Sequence, residues 1–189
     1  MKRYGFIFLL FALTSAYAAN QNDLNKLIQL KNAQTIHLDL SNADLRNYPF
    51  IPGKIDLQQA NLSHSNLSGV DLSKMNLGGA DLRYTDLSNA KLNQVNLVDA
   101  NLEHANLSGA ELQHTDLSRA NLSFTILEKT NFQQSIFTKA NLSCANLNEA
   151  NLSNTTFTEA NISGASFVNT MTAGITGYDS VVDQNITCG

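Results

Sequence analysis

The apolar positions of this chain follow neither the period of a helix nor that of a strand. From Leu57 to Phe167 a Leu, Phe or Ile stands at every fifth position (57, 62, 67 and onward) through 23 consecutive units. A helix places apolar residues about every 3.6 positions and a strand every 2. Two residues before each apolar centre sits a small or modest side chain, as in Ala60, Ser65, Val70, Met75 and Ala80. Immediately before the centre stands most often Asn or Asp: Asp56, Asn61, Asn66, Asp71, Asn76. The two positions after the centre are polar or small. Three earlier units centre on Leu40, Leu45 and Phe50. Two extra residues then intervene, beside the only prolines, Pro49 and Pro52.

Self-similarity at a short fixed period is the signature of a solenoid, in which each unit buries its apolar residue only against its neighbours. Residues that stack in successive coils ought to look alike. At a spacing of 20, the small position gives Ala60, Ala80, Ala100, Ala120, Ala140 and Ala160, an unbroken alanine column. The neighbouring column is Ile55, Met75, Val95, Thr115, Ser135 and Thr155, with no alanine. A five-residue period does not by itself produce that contrast, and a ten-residue period accounts for only part of it. The columns support coils of 20 residues. Twenty-six units then make six and a half coils, a rod about 30 Å long if coils lie ~4.7–4.9 Å apart like neighbouring strands.

The tandem motif Ala-(Asp/Asn)-Leu-X-X appears as ADLRY (80–84), ANLEH (100–104), ANLSG (105–109), ANLSC (140–144) and ANLNE (145–149). It resembles the pentapeptide-repeat family, over about residues 38–170. The resemblance implies an all-β fold: a right-handed quadrilateral β-helix with four units per coil. Each unit forms one side of a square, its central Leu filling the axis and its small residue letting the corner turn tightly. The Asn/Asp positions are expected to form hydrogen-bonded ladders between coils, a structural role that tolerates the interruptions at Lys91, Ile126 and Ile136.

The ends differ from the middle. Residues 1–18, MKRYGFIFLLFALTSAYA, combine Lys2 and Arg3 with a short apolar run and a small-x-small site at Ala16-Tyr17-Ala18. That is the layout of a secretory signal peptide, too short for a comfortable membrane span. The expectation is an exported chain, periplasmic or secreted, without membrane insertion after cleavage. Residues 19–37 read as an N-terminal cap. Within them NDLNKLIQLKN (22–32) predicts a short amphipathic helix with Leu24, Leu27 and Ile28 on one face and Asn22 as N-cap. The apolar pattern ends at 170, so 171–189 reads as a C-terminal tail.

The whole chain carries a net charge of −4, and without Lys2 and Arg3 it has 10 basic and 16 acidic residues, or −6. A mildly acidic chain with both signs scattered is a poor partner for nucleic acid. The two cysteines, Cys144 and Cys188, allow one intramolecular bridge. An oxidising compartment favours that bridge over two free thiols.

The chain contains no dinucleotide-binding, P-loop, serine-hydrolase or dithiol motif, so no enzyme activity, cofactor or metal is expected. The Asn-Leu-Ser triplets match a glycosylation acceptor pattern, but they follow automatically from the repeat. One outward column stands apart. The second residue after the centre, taken every 20, gives His64, Tyr84, His104, Phe124, Cys144 and Gly164. The other three columns at this position are mainly Lys, Gln, Asn, Asp, Glu and Gly, with His114. An aromatic stripe on a polar rod marks a candidate partner-binding ridge at His64, Tyr84, His104 and Phe124. The more ordinary reading is a ladder that steadies the coils, or a strip covered by the tail. His64 and His104 lie two coils apart with Tyr84 between them, a poor arrangement for a shared metal.

These features point to a non-enzymatic exported scaffold or protein-binding rod. The resemblance carries an alternative: some family members imitate duplex DNA and modulate DNA gyrase, conferring quinolone resistance. That imitation needs strongly negative faces. Here Lys74, Arg83, Lys91, Arg119, Lys129 and Lys139 interrupt the acidic residues, and export would separate the chain from gyrase.

Overall fold

The structure, a computed structural model, describes residues 38–180 and Cys188. The expected signal segment (1–18) and the capping helix expected over 22–32 lie outside the described residues.

Parallel backbone bridges repeat every 20 residues. One column joins Asn61, Asp81, Asn101, Asn121, Asn141 and Asn161, and three more start from Asn66, Asp71 and Asn76. Four columns of bridges mean four five-residue sides per coil, the coil that the resemblance implies and the alanine column supports. In the first coil the spacing is 22, Asp39 pairing with Asn61 and Asp44 with Asn66. The two extra residues bulge outward at a turn closed by the Lys54 N–H on the Ile51 carbonyl (3.0 Å), and the register on either side is kept.

Buried backbone donors need partners, and the unit 60–64 finds one for each of its five. The Ala60 N–H closes a turn onto the Leu57 carbonyl (3.1 Å) and the Asn61 N–H reaches back to Leu38 (2.7 Å). The Leu62 and His64 N–H groups reach forward to the carbonyls of Asp81 (2.7 Å) and Arg83 (2.9 Å). The fifth, that of Ser63, points along its own side and donates to Asn61 Oδ1 (3.1 Å). A short side chain with an acceptor oxygen two residues upstream is what Asn and Asp supply. This is the local reason for the Asn/Asp position.

The expected ladders between coils are present as well. Asn121 Nδ2 donates to Asn101 Oδ1 (3.1 Å), Asn141 to Asn121 (3.1 Å) and Asn161 to Asn141 (3.0 Å). Where the column lacks Asn or Asp, a neighbour can substitute. After Glu111 the Gln113 N–H takes Asn93 Oδ1 of the preceding coil (2.9 Å). After Ser166 the Val168 N–H takes Asn148 Oδ1 (2.9 Å).

Most turns carry their third residue in the left-handed region, as type II turns do. Glycine fills this position at 69 and 109, but His64, Tyr84, Lys74 and Phe124 adopt it with φ of 57–64°. Non-glycine residues pay a steric penalty there, on the order of 1 kcal/mol. Three inter-coil hydrogen bonds per unit hold them in place.

The central residues Leu62 through Leu152 are fully buried, as is the alanine column. Phe137 stacks on Phe157 of the next coil (4.7 Å between centroids) and meets Phe132 edge-on (5.0 Å). Corners occupied by Ser or Thr remain satisfied. Ser65 Oγ donates to the Leu62 carbonyl of its own coil (2.6 Å), and Thr85 Oγ1 to the same carbonyl from the next coil (2.8 Å).

Backbone pairing outlasts the apolar pattern. Met171 pairs with Asn151 and Thr176 with Thr156, beyond the boundary at 170 suggested by the side chains. The coil requires turns and backbone bonds before it requires leucine, and Gly174 (φ 73°) supplies another left-handed turn residue. A 3-10 turn, Tyr178–Ser180, follows; it is the only helical element among the described residues. None of the described helices is long and apolar enough to cross a membrane.

Candidate partner-binding surface

The aromatic column is assembled by the turn geometry. His64, Tyr84, His104, Phe124 and Cys144 share one backbone conformation, with φ of 57–59°. Translation by one coil therefore superposes their Cα–Cβ bonds. Their rings stack continuously: His64 on Tyr84 at 4.8 Å and 7°, Tyr84 on His104 at 4.9 Å and 10°, His104 on Phe124 at 5.0 Å and 17°. The spacing matches the separation of neighbouring strands. Side-chain stacking and backbone pairing thus reinforce one period.

Stacking determines what the column can offer. Ring faces inside the stack are turned toward other rings, so solvent meets ring edges. Tyr84 remains 52% exposed and Phe124 41%. The edges carry the Tyr84 hydroxyl and imidazole nitrogens of His64 and His104, followed by the apolar edge of Phe124. Such a row suits hydrogen bonding and edge contact with a partner's side chains rather than intercalation of a flat ligand. Tyr84 lies between the two histidines. Among the described residues no group of three or more His, Cys, Asp or Glu is placed to hold a metal ion.

Beside the stack lies a charged pair. Arg83 donates from Nε and Nη2 to the two oxygens of Asp81, at 2.9 and 2.7 Å. The Arg83 hydrogen bond holds the Asp81 carboxyl below its ordinary range, with smaller help from the Arg83 and His64 charges. On other faces the charges pair between coils: Arg119 with Asp99 (2.7 Å), Lys129 with Glu149 (3.8 Å) and Lys139 with Glu159 (3.6 Å).

At its C-terminal end the column meets the single disulfide. Cys144, next after Phe124, is bonded to Cys188 with Cα atoms 5.6 Å apart. The sequence-derived candidates His64, Tyr84, His104 and Phe124 therefore form one continuous stack, and the cysteine pair adjoins it. Sequence reasoning missed the substituting amides Asn93 and Asn148. Their signal was available: an Asn just after the centre, one coil before a unit that lacks Asn or Asp.

Comparison with known proteins agrees with this architecture. A trypsin-treated form of QnrB1, a plasmid-mediated fluoroquinolone resistance protein, superposes with a TM-score of 0.61 at 16% identity, over 70% of this chain and 72% of that one. A pentapeptide repeat protein from the Arabidopsis thaliana thylakoid lumen is 37% identical over 52% of this chain and 66% of its own, with a TM-score of 0.36. No curated protein matches the chain. The family model for pentapeptide repeats matches eight copies in overlapping segments, 55–94, 85–123, 96–134, 115–154 and 135–170, which together run through most of the coils. The chain belongs to the pentapeptide-repeat family.

Proposed function

We propose that the chain is an exported, non-enzymatic scaffold, a right-handed four-sided rod that binds a protein partner along the edge of its aromatic column. The observation that carries this reading is the continuous stack of His64, Tyr84, His104 and Phe124 along one face of the rod. Exposed aromatic edges with polar tips are the kind of surface enriched at protein interfaces. Export rests on the signal-like segment 1–18 and agrees with a disulfide between Cys144 and Cys188.

The test is affinity capture from envelope and secreted fractions with three chains: wild type, Tyr84→Phe, and the double variant Tyr84→Ser/Phe124→Ser. Tyr84→Phe keeps the ring in the stack and removes only the edge hydroxyl. A specific partner bound by wild type, weakened by Tyr84→Phe and lost in the double variant at an unchanged circular dichroism spectrum supports the reading. Retention by the double variant moves the interface to another face.

Modulation of DNA gyrase by DNA mimicry is the alternative. The likeness to QnrB1 is one of fold. The inter-coil pairs at Arg119, Lys129 and Lys139 intersperse cations among the acidic residues, and this weighs against a phosphate-like surface. A supercoiling assay with purified gyrase checks it, with no change expected on adding the chain.

A further inference from the structure

The C-terminal end is the least buried part of the rod. Its successive central residues fall from Phe157 (1% exposed) and Ile162 (5%) to a half-buried Phe167 and an exposed Thr172. Val168 and Met171 stand out at 59% and 54%. The last coil is pinned to the one before it by bonds such as Met171 N–H to the Ala150 carbonyl and Thr176 N–H to Thr155, both 2.9 Å. In a one-dimensional array the terminal unit has one neighbour and opens first.

The disulfide acts at this boundary. Cys144 belongs to the penultimate coil. Cys188 Sγ lies 3.5 Å from the carbonyl of Gly164, in the terminal coil. The bonded sulfurs therefore touch two successive coils of one column. Cys188 is exposed, so a thiolate can approach it. Cys144, bonded to it, is half-buried, whereas its column neighbours Phe124 and Gly164 are exposed.

We propose that the Cys144–Cys188 disulfide is a redox-controlled latch on the terminal coil, opened by a dithiol reductant. A thiolate of the reductant attacks Cys188 Sγ, the Cys144–Cys188 bond breaks, and Cys144 leaves as a thiolate and takes up a proton. The second thiol of the reductant, losing its proton, then displaces Cys188 from the mixed disulfide. The protein gains two electrons and two protons, and the dithiol becomes a disulfide. The loop that the bond closes, which runs from Cys144 to Cys188 and contains the terminal coil, is then open.

The experiment is hydrogen exchange on the purified full chain in native buffer, oxidised, reduced with millimolar dithiothreitol, and as the Cys188→Ser variant. The latch requires amides of 161–178 to exchange about tenfold faster in the reduced and variant proteins, with 61–140 unchanged, because only local opening is affected. Oxidised glutathione restores protection to the reduced wild type and leaves the variant unaltered. Three outcomes overturn the proposal: a bond that native-state dithiol does not reduce, protection at 161–178 that is independent of the bond, or a uniform loss along the whole rod. The last would make the bond a global staple. The readout requires no partner, so it is independent of the binding proposed for the column.

Discussion

At the residue scale, Asn141 shows why one amide recurs. Its Oδ1 accepts the Ser143 N–H (3.2 Å) and Asn161 Nδ2 (3.0 Å), while its own Nδ2 donates to Asn121 (3.1 Å). Asn141→Ala leaves the Ser143 N–H and Asn161 Nδ2 without their acceptor and Asn121 Oδ1 without one donor, and should cost roughly 1–3 kcal/mol. Asn141→Asp keeps the acceptor and loses only the donor, so its denaturation midpoint should fall between those of wild type and Ala. The turn position makes an opposite prediction. Lys74 is exposed and held at φ 64°. Lys74→Gly removes the left-handed penalty and should raise stability by about 0.5 kcal/mol once the added freedom of the unfolded chain is discounted. The same change at Tyr84 should not stabilise. It would discard two ring contacts, each worth about 0.5–1.5 kcal/mol. Paired urea titrations of the two variants separate strain from stacking.

At the scale of one coil, side chains decide strength and the backbone decides continuity. Phe137 contacts rings in its own coil and in the next. Phe137→Ala should cost about 3–5 kcal/mol through lost burial and a residual cavity. Because coils couple only to neighbours, the exchange rates it raises should concentrate in 121–160 and leave 61–100 near wild type. The final coil lacks such anchors. Gly177 stands where a central side chain is due, and a Cβ there would come within 2.7 Å of the Thr158 backbone nitrogen. Gly177→Ala must push the chain off its neighbour. It should speed limited proteolysis at 171–180 while leaving the overall melting temperature within a degree or two.

At the scale of the molecule, paired charges set the acid limit. Arg46 hydrogen-bonds Asp44, Ser73 hydrogen-bonds Asp71 and Arg83 hydrogen-bonds Asp81, and each carboxyl is thereby held below the ordinary carboxylate range. A carboxylate whose pKa is lowered on folding stabilises the fold above its unfolded pKa. That contribution disappears as pH falls through the folded pKa. Stability should therefore stay level from neutral pH down to about 5 and decline below about 4. These groups are largely solvated and salt screens them, so the decline should be shallow. Thermal melts across this range at two ionic strengths check both statements.

Much of this was written into the chain. A leucine every fifth residue has the period of neither an α-helix nor an extended strand, and an alanine column every 20 residues supports the four-sided coil that the family resemblance implies. The stacking of His64, Tyr84, His104 and Phe124 follows from that register, since residues one coil apart must superpose. What the tertiary structure alone decided is how those positions are used. Rings in register can present faces or edges to solvent, and only the side-chain geometry turned the faces inward. The left-handed conformation of Tyr84 and Phe124 was hidden because residue type there does not signal it; the inter-coil bonds impose it. The Asn/Asp position was legible as a ladder, but its bond to its own side became visible only when each N–H was traced. The pairing that continues to Thr176 and the place where Cys188 meets the column depend on contacts between residues far apart in sequence. No local pattern encodes those contacts.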